Sequence, residues 1–134
     1  MQDLAARADV DALLRRFYRR ALVDEVLAAP FAELRAAGLE AHLPKMCDFW
    51  ETVLFRAGRY RGSALEVHRH IHRRTPLSGG HFLRWLTIWR ETVDEMYRGP
   101  LAERAQVQAA RIAWAMQRRL TGATAPELDA LVGR

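Results

Sequence analysis

The chain has a single cysteine, Cys47, among 134 residues. An internal disulfide framework is therefore excluded, and the composition fits a reducing cytoplasm. No run of about 18 apolar residues occurs, so no membrane span is expected. The opening stretch, Met1 to Asp9, lacks the apolar core of a secretory signal. No glycine-rich flavin or nicotinamide fingerprint is present. The Glu-x-x-His pairs of a helical di-metal carboxylate centre are also missing. There is no strand signal, internal repeat or low-complexity tract.

Half of the residues are hydrophobic and 28% are charged, as in an ordinary globular protein of one domain with a real core. The net charge is +5 and the pI about 10.3, almost wholly from arginine. A pI above about 9 is one mark of a nucleic-acid binder. The arginines, however, are scattered through every segment with acids close by, and form no tail and no stripe interleaved with aromatics. Solvated helix faces explain them, and no nucleic-acid partner is expected. A small basic helical module that binds nucleic acid or a partner helix is the alternative reading.

The apolar pattern is helical throughout. Val10, Leu13, Leu14, Phe17, Tyr18, Ala21 and Leu22 repeat at the spacing of one helix face, with Asp9 as the expected N-cap. Pro30 interrupts it. A second helix is expected from Leu39 to Ala57, stopped by Gly58. A shorter one spans Gly62 to Ile71, and Arg73, Arg74 and Thr75 read as loop. Ser78 is the expected N-cap of a long helix carrying Phe82, Trp85, Trp89 and Val93. Gly99-Pro100 marks a corner into a last helix, Leu101 to Leu120. Residues 1–120 form the domain. Residues 121–134 are expected to be a flexible tail, although Glu127 to Val132 can form one helical turn.

Four of the five histidines, His68, His70, His72 and His81, crowd into fourteen residues, and His42 lies upstream. Neutral imidazole is the commonest ligand for transition metals and for haem iron. His68 and His72 are four apart, a spacing that chelates zinc on a helix, but no third ligand completes such a site. His70 and His81 read as surface residues, and Cys47 as packed.

Fixed spacings narrow the choice. Tyr18 lies on the first apolar face and Phe31 follows Pro30. His42 and Met46 are one turn apart, with Phe49-Trp50 beyond them. Then come Tyr60-Arg-Gly62, Leu65-Glu-Val-His68, Pro76-Leu77 and His81-Phe-Leu-Arg-Trp85-Leu86. Taken together these residues resemble the truncated haemoglobins of group III, over roughly Val10 to Leu120. The resemblance implies an all-α shortened globin, a two-over-two helical sandwich around a b-type haem. It implies Tyr18, His42 and Trp85 on the distal side, where hydroxyl and indole donors stabilise a bound ligand. It makes Phe31, Leu43, Met46, Phe49 and Leu65 the pocket wall.

The proximal iron ligand falls on His68 when counted forward from Trp50 through Gly62. Counted back from Phe82 and Trp85 it falls near His72, the alternative. An insertion at residues 73–75 reconciles the counts, since loops absorb insertions readily. Arg59, Tyr60, Arg69 and Arg73 flank the pocket as partners for the haem propionates. The implied ligands are dioxygen, nitric oxide and carbon monoxide. The implied roles are oxygen binding, nitric oxide dioxygenation, and peroxide or sulfide chemistry.

Overall fold

The computed structural model describes residues 1–58, 60 and 62–132. Seven helices and no strand occur among the described residues: α1 (Arg7–Ala21), α2 (Ala32–Ala37), α3 (Leu39–Phe55), α4 (Ala64–Arg74), α5 (Gly79–Met96), α6 (Pro100–Thr121) and α7 (Pro126–Leu131). Helix α1 pairs with α3, and α5 with α6. The first pair then crosses the second, α1 against α5 and α3 against α6. This is the expected sandwich of two helices over two.

The core follows the apolar stripes. Helix α1 buries Val10, Leu13, Leu14, Phe17 and Ala21, and α5 buries Phe82, Leu86, Ile88, Trp89 and Val93. Helix α6 instead buries alanines, at 102, 105, 109, 110 and 113. Small side chains there leave room for the Trp89 indole, whose N–H donates to the Ala105 carbonyl at 3.1 Å. Trp89 stacks between Trp50, at 4.4 Å, and Trp85, at 5.9 Å.

Helix ends differ from expectation for local reasons. Helix α1 begins at Arg7, not after Asp9. The Asp9 carboxylate lies inside the first turn and accepts from the N–H groups of Ala5 and Ala6 at 2.9 and 3.1 Å. Helix α3 ends at Phe55 because Arg56 takes the left-handed conformation, φ 57°, before Gly58 is reached. Helix α4 runs on to Arg74, so residues 73 and 74 lengthen a helix instead of forming loop. Ser78 does cap α5, its hydroxyl accepting from the His81 N–H. At the α5–α6 corner Gly99 has φ 143°, and a Cβ there would lie 2.5 Å from the Asp3 carboxyl carbon. The C-terminal stretch, read as a flexible tail, carries α7. Leu128 is fully buried, and Asp129 accepts from the Trp114 indole at 2.7 Å.

Helix α4 stands apart. Among the described residues its backbone comes near α6 alone of the helices, Ile71 packs against the core, and none of its residues is fully buried. Glu33 of α2 reaches it through His70, at 3.0 Å, and through Arg74. No backbone approach joins α4 to α3 or α5.

Candidate functional site

The aromatic residues singled out in the sequence form one continuous run of ring contacts. Phe31 meets Tyr18 at 5.8 Å, and Tyr18 meets Phe17 at 4.8 Å. Phe17 meets both Trp85 and Trp89, at 6.0 and 5.2 Å. Trp89 stacks on Trp50, which meets Phe49 at 5.4 Å, and Phe49 meets Tyr60 at 5.2 Å. Residues from three helices, α1, α3 and α5, and two connecting segments are joined in this way. Edge-on and offset ring pairs each add roughly 0.5–1.5 kcal/mol beyond area burial. The wall is therefore a rigid surface. Leu43 is buried in it, while Met46, Phe49 and Phe31 are half-buried.

Two polar atoms on this wall have no hydrogen-bond partner among the described residues, the Tyr18 hydroxyl and the Trp85 indole N–H. No buried side-chain polar atom in the described structure lacks a partner. Both unpartnered donors therefore reach accessible space. Surrounding groups desolvate Tyr18 enough to push its phenol well above the ordinary value. It stays protonated and remains a donor at neutral pH.

The two competing histidines sit in different hydrogen-bond environments. His68, half-buried on α4, donates from Nδ1 to the Ala64 carbonyl at 2.7 Å. That bond fixes the tautomer and leaves Nε2 as a free lone pair with no partner among the described residues. Burial lowers the His68 pKa, the bond to Ala64 opposing it in part, which keeps the ring neutral at pH 7. His72 is the reverse. Its Nδ1 accepts from the Leu77 N–H at 2.8 Å, so the proton resides on Nε2. Its lone pair is already spent holding the turn after α4.

The remaining predicted residues are less closely gathered. Leu65 is half-buried on α4. His42 is exposed near the start of α3, with no hydrogen bond among the described residues. Tyr60 is half-buried, its N–H donating to the Thr52 hydroxyl at 3.2 Å. Arg69 is exposed and paired with Glu66 at 2.6 Å, and Arg73 is exposed. Arg59 lies outside the described residues. His70 is exposed against Glu33, and the His81 ring accepts from the Ser78 N–H at 3.0 Å. Cys47 is buried, and burial raises its thiol pKa.

The sequence did not single out Ala64 or Glu33. A backbone carbonyl that orients a ring has no residue-type signature, although its place four residues before His68 is the one position that can reach Nδ1. Glu33 is distant in sequence from the α4 residues it joins.

A cleft of about 780 Å³ lies elsewhere, between the end of α1, the segment after it, and α5. Two ion pairs line it, Arg20 with Glu95 and Arg84 with Asp24. It contains none of the aromatic or histidine groups described above. Among the described residues no three His, Cys, Asp or Glu side chains gather as a metal-binding group.

No protein-family model and no curated protein matches the chain. Among solved structures, it is similar to the crystal structure of a group III truncated hemoglobin from Campylobacter jejuni, at 22% identity and a TM-score of 0.79. The match covers 93% of this chain and all of that one. The helical order, the two-over-two packing and this match lead to one conclusion: the chain has the fold of a group III truncated haemoglobin.

Proposed function

We propose that the protein binds haem b and handles small diatomic ligands at its iron. The single observation that carries this is the pair of histidine environments: His68 presents a free Nε2, whereas His72 does not. The fit is supported from the other side by the unpartnered donors of Tyr18 and Trp85. A built apolar wall with two idle donors and one idle imidazole nitrogen has the donor set a b-type haem needs.

When bound, the haem supplies an iron centre able to take dioxygen, nitric oxide or carbon monoxide. The chain's own residues do the rest. His68 would hold the iron through Nε2, its ring direction set by the Ala64 carbonyl. Phe31, Leu43, Met46, Phe49 and Leu65 exclude water from the ligand side. Tyr18 and Trp85 donate to a ligand that carries partial negative charge. His42, exposed at the start of α3, would be free to meet an entering ligand, and Tyr60, against Phe49, would be a partner for a propionate.

Two donors acting on one ligand slow its release. This favours chemistry on the ligand, such as nitric oxide dioxygenation or peroxide or sulfide handling, over bulk oxygen delivery. The work is placed in the cytoplasm with a separate reductase. Absorption spectroscopy of the purified protein after haem addition tests the reading. A Soret band at one haem per chain is expected, and no saturable binding overturns it.

A further inference from the structure

We propose that the outer face of α4 is the docking surface for a small acidic protein that donates single electrons. The inference rests on the haem reading above and names the kind of reductase that reading requires.

Arginines occur throughout the chain, but their excess over acids does not. Residues 56–74 contain six arginines and one acid, Glu66, a formal charge of +5. That equals the net charge of the whole chain, so cations and anions balance everywhere else. Within this stretch Arg56, Arg69, Arg73 and Arg74 are exposed. The last three share α4 with His68.

Two features distinguish this patch from a merely solvated face. Val67 is 54% exposed among these cations, one turn before His70 and two before Arg74. A solvent-facing apolar residue at the edge of a cationic helix face is a pattern of a transient protein contact. The patch is also short. An 11-residue helix is about 16 Å long, which suits the small interfaces of electron-transfer encounters. Glu66 and Glu33 pair with Arg69 and Arg74, so Arg56 and Arg73 carry the charge that has no ion-pair partner among the described residues.

Position supplies the function. His68 is on the same helix, and a helix with its side chains is about 10 Å across. A partner on the outer face is thus one helix thickness from the iron ligand. One electron leaves the partner's reduced centre, oxidising it by one, and reduces ferric iron in this chain to ferrous. No bond forms or breaks.

A plant-type [2Fe–2S] ferredoxin serves as the acidic probe, with the haem-loaded protein under carbon monoxide. Stopped-flow absorbance gives the second-order reduction rate at low and high salt, and calorimetry gives the affinity. The rate is expected to fall steeply with salt. The double variant Arg56→Glu/Arg74→Glu, at exposed cations of this stretch with no assigned haem contact, should lower both rate and affinity about tenfold or more. Arg19→Glu/Arg98→Glu carries the same charge change away from α4 and should leave both within about twofold of the parent. Dithionite reduction and haem content should be equal in all three proteins. Equal slowing by both double variants overturns the proposal. So does a face that binds duplex DNA or anionic vesicles but not the ferredoxin. A protein without a Soret band defeats the haem reading instead, and ferredoxin affinity alone then decides whether the α4 surface docks an acidic partner.

Discussion

The Nδ1–H of His68 donates to the carbonyl of Ala64, one turn earlier on the same helix, at 2.7 Å. His68→Ala should abolish the five-coordinate ferrous spectrum of the haem-loaded protein. His72→Ala should keep that spectrum but lose about 1–3 kcal/mol of stability, because the Leu77 N–H loses its acceptor. Visible spectra and urea titrations of the two variants check this. A normal spectrum in the first with loss in the second reverses the assignment.

Tyr18 and Trp85 hold donors with no protein partner among the described residues. A hydrogen bond to a charged group contributes roughly 1.5–3 kcal/mol. Tyr18→Phe and Trp85→Phe should therefore each raise the oxygen dissociation rate of the ferrous protein about 10- to 100-fold. Flash photolysis or stopped-flow mixing measures it. Rates unchanged in both variants remove the proposed ligand-holding role.

These side chains were legible in the sequence, and their arrangement only partly so. The long helices follow from apolar residues spaced at the helical repeat, and the alanines of α6 fit beneath Trp89. Helix ends were less legible. Asp9 works from inside the first turn, and Arg56 adopts a left-handed backbone that its residue type does not announce. The choice between His68 and His72 was open because spacing alone says nothing about tautomer. It depends on which backbone group lies beside each ring, a carbonyl for one and an N–H for the other. The local excess of arginine was hidden by the even scatter of arginines along the chain.

Asp3 gives a pH-dependent contribution. Its carboxylate accepts from the N–H groups of Leu4, Leu101 and Ala102 at 2.8, 2.9 and 2.8 Å, tying the N-terminus to the start of α6. Partial burial pushes its pKa up, but the three donors outweigh that and hold it below the usual carboxylate value. A lowered folded pKa stabilises above the unfolded value of about 3.9, and the gain is lost as pH falls through the folded pKa. Asp3→Ala should cost about 1–2 kcal/mol at neutral pH. The variant and parent should converge on acidification below about pH 4. Thermal melts across that range provide the check, and a pH-independent difference contradicts it.

Trp89 joins the two layers. Trp89→Phe removes the bond to Ala105 and part of the stack with Trp50 and Trp85. A loss of about 1–3 kcal/mol is expected, seen as a lower urea midpoint with an unchanged slope. No change in midpoint contradicts this role.

The isolation of α4 has a consequence for how a cofactor enters and leaves. The four-helix core closes largely without it, since among the described residues the backbone of α4 approaches α6 alone, and Ile71, the His72 bond to Leu77 and the side chains reaching Glu33 supply the rest of its hold. Local opening free energies scale with such contacts. Helix α4 can therefore swing or fray while the rest of the chain stays folded. Exchange of the proposed haem would then be a hinged event confined to one helix, and loading the finished protein would not require unmaking it.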